Sequence, residues 1–347
     1  MNRKKLGFAL IGCGVAAGFH ARAIEGFDDI SLQGVYDHYR VGAEKFSENY
    51  NTKCYENLEG LLTDPAVDAI CICTPSGLHA GQAVAALEAG KHVLIEKPLA
   101  ITAKEGLRVV QAAEKSGRTV DVVAQLRCCP AVQQIREAIS RKKLGTITLV
   151  QLDMVYYRSE DYYNASPWRG TWAMDGGGAL MNQGIHGIDL LLHLMGPVKR
   201  VFAHAKTMAR NIQTEDTATA TLEFENGAIC TIAATTSVYP GSPRRLRICG
   251  TRGTVVLTED SITEWSVEGD DPADYLSASE YDSFNKPEAV PESAHSSVIR
   301  DFADAILEGR QPVSNARDGY HAVALIEAMY QSSKTGQSRQ PAWMKSE

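Results

Sequence analysis

The stretch Leu6-Gly7-Phe8-Ala9-Leu10-Ile11-Gly12-Cys13-Gly14-Val15-Ala16-Ala17 decides the fold. Its apolar opening reads as a buried strand, two glycines interrupt it, and Val15–Gly26 has the spacing of a helix. Gly12 permits a tight turn, Gly14 lets the backbone approach a pyrophosphate, and Ala17 lets the helix pack closely on the strand. At Val15 and Ala16 the helix start offers free N–H groups and partial positive charge to phosphates. Asp37 closes the next apolar run, Ile30–Tyr36, 23 residues beyond Gly14. A carboxylate there accepts hydrogen bonds from the adenosine ribose hydroxyls. It also repels a 2′-phosphate, which favours NAD, while the neighbouring His38 and Arg40 keep NADP open.

Outward from this stretch, short apolar runs alternate with helical segments. Val67–Cys73, His92–Ile95 and Thr119–Ala124 read as strands, while Val41–Tyr50, Leu78–Ala89 and Thr102–Ser116 read as helices, the last with Thr102 as N-cap. Fully apolar strands separated by helices predict a doubly wound parallel sheet covered on both faces. After Gln125 the pattern changes. A helix over Ala131–Arg141 leads into longer alternating segments at Thr146–Tyr157, Val198–Lys206, Ala218–Phe224, Ile229–Thr236, Arg245–Cys249 and Thr254–Leu257. Turn signals between them predict an open, mainly antiparallel sheet, interrupted by a helix over Leu180–Leu194. The expected class is α/β: a Rossmann domain over 1–125 and an α+β domain over 126–347. The tail adds helices at His295–Leu307 and Arg317–Ser332, after an acidic connection over Glu268–Glu292 that reads as a surface loop.

At 347 residues, two domains are natural, and 44% hydrophobic with 22% charged residues excludes general disorder. A net charge of −7 argues against nucleic-acid and anionic-membrane partners, and no apolar run reaches the length of a membrane-spanning helix. Eight cysteines form no Cys-x-x-Cys pair, and Cys71 and Cys73 alternate with isoleucines. Free thiols in a reducing cytoplasm fit this better than disulfides or zinc. His186 and His193 lie about 10 Å apart along a helix axis, too far to share one ion, so no metal is expected.

Ligands of such sheets bind beyond the carboxyl ends of the strands. Thr74, Pro75 and Ser76 with His79, then Glu96 and Lys97 ahead of Pro98, and finally Gln125 stand at such ends. They are candidate cofactor contacts, and Lys97 places an ammonium where a nicotinamide would lie. With these residues the chain resembles the Gfo/Idh/MocA oxidoreductases of sugars and cyclitols. The likeness runs through Gly12-Cys13-Gly14 with Ala17, His20 and Ala21, through Cys73-Thr74-Pro75 with His79, and through Glu96-Lys97-Pro98. It continues in Trp168-Arg169 and in Gly176-Gly177-Gly178-Ala179-Leu180-Met181-Asn182-Gln183-Gly184-Ile185-His186-Gly187-Ile188-Asp189, and it returns in Asp301–Ile306 and Glu327–Tyr330.

The resemblance implies that Lys97 and His186 flank the substrate hydroxyl as catalytic groups, with Glu96 and Lys97 touching the nicotinamide-side ribose. It implies that Trp168 and Arg169 contact cofactor and substrate, and that the second domain's sheet makes homodimer or homotetramer contacts. Asn182 stands where many members carry Asp, so the proton chemistry falls on Lys97 and His186. If Asn182 and His186 lie four apart on one helix, both can face the substrate. The run around Asn182 and Gln183 is similar to members acting on nucleotide-linked uronic acids. Tyr156, Tyr157, Tyr162, Tyr163 and Trp168 with Arg158 and Arg169 form an aromatic and cationic cluster, read first as core or interface. If it lines the site, the arginines suit a carboxylate or diphosphate. Arg244, Arg245 and Arg247 are expected on a solvated or interface face.

The expected activity is hydride transfer between a secondary alcohol of a sugar, cyclitol or nucleotide-linked sugar and NAD or NADP. Two rival readings remain. One is a reductase or dehydrogenase of a free sugar, inositol or aldehyde; the other is a non-catalytic dinucleotide sensor, which has no need of both Lys97 and His186.

Overall fold

The computed structural model describes residues 5–279 and 291–344. Residues 280–290 of the acidic connection lie outside the described residues. Elsewhere the chain separates into two compact units: Met1–Gln125 with Glu292–Tyr320, and Leu126–Pro291 with His321–Glu347.

The first unit holds β1 (Leu6–Ile11), α1 (Val15–Glu25), β2 (Ile30–Tyr36), α2 (Arg40–Asn49), β3 (Lys53–Cys54), α3 (Leu58–Thr63), β4 (Ala69–Ile72), α4 (Ser76–Glu88), β5 (His92–Ile95), α5 (Ala103–Ser116) and β6 (Val120–Val122). Its six strands are all parallel in the order β3-β2-β1-β4-β5-β6. The order reverses between β1 and β4, which is where a doubly wound sheet opens its ligand crevice. Every residue of β4 is buried, because helices cover both faces of the strand. Thr102 caps α5 by accepting the Glu105 N–H at 3.2 Å, and Gly117 ends that helix in the left-handed conformation at φ +64°. The short β3 and α3 carry no periodic apolar signal, and the sequence did not point to them.

The second unit contains α6 (Pro130–Ser140), β7 (Ile147–Val155), α7 (Glu160–Asn164), a π-helical turn over Ala179–Gln183, α8 (Ile185–Met195), β8 (Val198–Lys206), β9 (Thr217–Phe224), β10 (Ile229–Thr235), β11 (Arg245–Gly250), β12 (Gly253–Thr258) and β13 (Ser261–Val267). The sheet order is β13-β12-β11-β7-β10-β9-β8. Neighbours pair antiparallel except β7 with β10, where Leu149 stands opposite Ile229 and the strands run parallel. Alternation along the strands is visible in burial. Val150, Leu152 and Met154 of β7 enter the core, while Leu149 and Asp153 face outward.

Two helices complete the described chain, α9 (Glu292–Glu308) and α10 (Ala316–Thr335). The sequence assigned everything after residue 125 to one domain. The structure instead gives α9 to the first unit, because Val298, Ile299 and Phe302 bury against the core of α1 and β1. Phe302 meets Phe8 edge-to-face at 6.0 Å.

Candidate active site

The turn after β1 is shaped for a dinucleotide. Gly12 has φ +96°, and a Cβ there would lie 2.7 Å from the Cys73 carbonyl oxygen, so only glycine fits. Gly14 caps α1 without a side-chain bond, and a Cβ on it would meet nothing within 4 Å. Open space therefore lies at the first N–H groups of α1, beside the exposed Val15, an arrangement that could hold a pyrophosphate. Asp37 accepts the Cys13 N–H on Oδ2 at 2.8 Å and the Tyr39 N–H on Oδ1 at 2.8 Å. It thereby ties the end of β2 to the glycine turn and holds its carboxylate in place. Burial, Asp37 and Cys54 push the Cys13 thiol up to about 12, which leaves it an inert member of the turn. His38 is exposed, and the Arg40 guanidinium is drawn to Glu44 at 2.7 Å.

At the other strand ends, two expected cofactor contacts have protein partners. Glu96, expected on the nicotinamide ribose, is buried and accepts from His20 Nε2 on Oε1 at 2.8 Å; His295 Nε2 lies 3.7 Å from the same oxygen. Burial pushes the Glu96 carboxyl up, but the contacts from His20 and His295 outweigh it and hold it well below the ordinary range. His79, expected to contact cofactor, is also buried, with Nδ1 2.7 Å from the Pro98 carbonyl and Nε2 2.8 Å from the Thr74 carbonyl. Neither nitrogen is left for a ligand. Thr74 donates its hydroxyl to Gln82 Oε1 at 2.6 Å, Ser76 begins α4, and Lys97 is half-buried at the end of β5. Gln125, a further candidate cofactor contact, is buried at the end of the first unit.

Among the described residues His20, Glu96 and His295 form a group of metal-ligand types, with ligand atoms within 4.8 Å of one another. Its geometry is that of hydrogen bonds. Two ligands of one zinc ion, each about 2.0–2.1 Å from it, stand about 3.3 Å apart, wider than the 2.8 Å between His20 and Glu96. Metal-bound imidazoles also donate their second nitrogen to an acceptor, whereas Nδ1 of His20 and of His295 are buried with no partner among the described residues.

In the second unit, the segment expected as one helix over Leu180–Leu194 divides. Asn182 lies in the π-helical turn and His186 in α8, with Gly184 ending one and opening the other. The two are therefore not a four-residue pair on one α-helical face, which corrects the spacing argument. Asn182 is buried, donates to Asp175 and accepts from Gln183 Nε2 at 2.7 Å. Gln183 extends the network, donating to the Tyr162 hydroxyl at 2.9 Å and accepting from Arg158 Nε at 3.0 Å. The Arg169 guanidinium lies 4.1 Å over the Tyr162 ring and 5.7 Å from that of Trp168, and it donates to the Tyr162 carbonyl at 2.8 Å. Arg169 Nε is buried without a partner among the described residues, a donor directed at no protein acceptor. His186 is half-buried on α8.

Two carboxylates behind this network escaped the sequence reading. Asp175 accepts the Gly170 N–H at 2.8 Å and holds Asn182, so an acid stands next to Asn182 after all. Glu215 accepts the Gly178 N–H at 3.0 Å, the Leu180 N–H at 2.8 Å and the Tyr330 hydroxyl at 2.9 Å. Burial pushes its carboxyl above the ordinary range despite those bonds. The glycines of this segment follow from that clamp. A Cβ on Gly177 would strike the Tyr330 hydroxyl, and one on Gly178 the Glu215 carbonyl. Asp189 clamps Arg127 with two buried bonds of 2.8 and 2.7 Å. The aromatic cluster divides. Tyr156 and Tyr163 are core, whereas Tyr157 meets Tyr239 at 5.1 Å and Arg210 at 5.1 Å. Arg244, expected on a solvated face, is buried and paired with Glu259 at 2.9 Å. None of the eight cysteines is in a disulfide.

Comparison with known proteins gives the family. Residues 6–124 match the family model described as an oxidoreductase family with an NAD-binding Rossmann fold, and residues 132–256 match the Gfo/Idh/MocA C-terminal domain. The chain belongs to the Gfo/Idh/MocA oxidoreductase family. Its Rossmann unit is thus an NAD-binding one, and the resemblance drawn from the motifs holds over most of the chain. Among relatives, it is 28% identical over 331 residues to a scyllo-inositol 2-dehydrogenase (NADP(+)) of Bacillus subtilis, covering 87% of this chain and 89% of that one. The WlbA dehydrogenase of Bordetella pertussis, solved with NADH and UDP-GlcNAcA, superimposes with a TM-score of 0.89 at 31% identity, covering 99% of this chain and 100% of that one. The WlbA enzyme of Chromobacterium violaceum, solved with the same two ligands, gives 0.88 at 31% identity over 97% and 96% of the chains.

Proposed function

We propose that this family member is an NAD-dependent dehydrogenase of a nucleotide-linked sugar carrying a carboxylate. The observation that carries the reading is the whole-length likeness to dehydrogenases solved with NADH and UDP-GlcNAcA. Local chemistry supports it. Asp37 disfavours a 2′-phosphate, and Arg40 is engaged by Glu44, so NAD is favoured over NADP. Arg169, stacked on Tyr162 with a buried unpaired Nε, suits a carboxylate, and Arg158 adds a second guanidinium through Gln183.

NAD, when bound, supplies the acceptor for a hydride from the carbinol carbon. The chain's own residues handle the proton. Lys97 or His186 takes it from the hydroxyl as the C–H bond breaks, and the partner that stays charged stabilises the developing alkoxide. Asp175, Asn182 and Gln183 act as positioning residues for the segment that carries His186. The absence of disulfides supports a cytoplasmic location. The outward face of the second unit's sheet, with exposed Leu149, Phe202 and Ile229, serves a homodimer or homotetramer. No helix among the described residues is long and apolar enough to cross a membrane.

The test is NADH formation at 340 nm with UDP-linked sugars with and without a uronic carboxylate, free sugars and inositols. Turnover confined to the carboxylated nucleotide sugars is expected; turnover of free sugars or inositol alone overturns the substrate class. Lys97→Ala and His186→Ala should each lower kcat about 10²–10⁴-fold with little change in NADH affinity. Near-wild-type rates in either variant would remove that residue from the mechanism.

A further inference from the structure

His79 lies between two backbone carbonyls that do not belong to its own helix turn. Thr74 follows β4 and Pro98 follows β5, so the ring spans the two loops that close adjacent strands. Both distances, 2.7 Å to Pro98 and 2.8 Å to Thr74, are those of good hydrogen bonds. A carbonyl can only accept. A neutral imidazole has one N–H and one bare lone pair, so one of the two contacts would set lone pair against lone pair. Turning the ring over would replace both nitrogens by carbon and lose both bonds. Only the doubly protonated ring satisfies the site.

Burial and the nearby Lys97 ammonium push the His79 pKa down, as does its place in the first turn of α4, where the helix end is positive. Three groups act the other way. They are the two carbonyl acceptors and the Glu96 carboxylate, which is held ionised by His20 and His295. The carbonyls are backbone ends of strands and cannot turn away as a side chain would.

We propose that His79 is a buried imidazolium that braces the Thr74-Pro75-Ser76 loop against the Lys97-Pro98 turn. It is a positioning residue: both nitrogens are spent on the loops, and it acts on a ligand only through them. The consequence for binding rests on the proposed reading of these loops as cofactor contacts; the charge state of the ring does not.

Histidine labelled with ¹⁵N, observed by long-range ¹H–¹⁵N spectroscopy, reads the charge state directly. The expected spectrum at pH 8.5 contains one ring with both nitrogens protonated, a pH at which an ordinary histidine of pKa about 6.5 is neutral. That signal should vanish in His79→Gln. No doubly protonated ring at pH 8.5, or one that survives in His79→Gln, overturns the proposal. The brace is read separately by NADH fluorescence titration, where His79→Gln should bind about tenfold more weakly because one end of the bridge loses its charged donor. Unchanged affinity in a folded variant overturns the bracing role. Wild-type protein that binds no NADH at all would instead sink the cofactor reading, and the wild-type spectrum would still decide the charge.

Discussion

The Glu215 clamp can be broken at one atom. In Glu215→Gln, one carboxylate oxygen becomes an NH₂ group. If the amide keeps its oxygen on the side of Leu180 and Tyr330, those donors remain satisfied, and the NH₂ faces the Gly178 N–H that Oε2 accepted at 3.0 Å. The loss is one buried hydrogen bond plus an opposed pair of donors, about 2–3 kcal/mol. For a domain of this size that corresponds to about 4–12 °C in Tm. Tyr330→Phe removes a single donor and leaves Oε1 with Leu180, so it should cost only about 1 kcal/mol. Calorimetry at pH 8 measures both, and the double variant should fall short of the sum because the two share one carboxylate. NADH affinity should not change, since Glu215 and Tyr330 belong to the second unit, while turnover should fall with the loosening of Asn182 and Gln183. A Glu215→Gln transition within about 2 °C of wild type would refute the view that this carboxylate holds the glycine segment.

The glycine turn offers a paired contrast. Gly12→Ala should weaken NADH binding and also destabilise the protein by at least about 1–2 kcal/mol from its positive φ, measured by urea denaturation. Gly14→Ala should leave stability within about 0.5 kcal/mol yet still weaken NADH, because its methyl enters only the open space at the helix start. Asp189→Ala leaves the Arg127 guanidinium buried without its bidentate partner and should cost about 3–5 kcal/mol, again by denaturation. Last, His92 accepts the Thr119 N–H on Nδ1 at 3.0 Å, and burial followed by Arg118 pushes its pKa from 6.5 to about 4. A base depressed in the folded state contributes stability above its unfolded pKa and loses it as pH falls towards the folded one. Wild type should therefore lose stability between pH 6.5 and pH 4 more steeply than His92→Gln, whose amide oxygen can still accept from Thr119. Equal slopes in the two proteins would exclude His92 as the cause.

Much of the first unit was legible because its signals are local. Gly12, Gly14 and Ala17 state backbone requirements within one turn, and the runs of β1, β4 and β5 are apolar because both sheet faces are covered. Thr102 and Gly117 announce the ends of α5 in the same way. The second sheet was legible as alternation, but not in its pairing: the parallel contact of β7 with β10 links strands far apart in the chain. The start of α8 was misread because hydrophobic spacing does not distinguish a π-helical turn from an α-helix, and Gly184 in that segment reads as tolerated rather than as a junction.

The sequence by itself determined the glycine turn, the parallel sheet and the family to which the chain belongs. The glycine turn is written in residues that lie within a few positions of one another, where backbone geometry alone restricts what fits. Only the tertiary structure decided what surrounds them. It paired Glu96 with His20 and His295, and it set His79 between two carbonyls. It placed Asp175 and Glu215 behind the glycine segment and returned α9 to the first unit. Those assignments depend on which buried donor meets which buried acceptor, from 5 residues apart for His79 and Thr74 to 76 for His20 and Glu96. Burial makes an unmatched polar group costly, and the partner that satisfies it is chosen by packing, which no local pattern records.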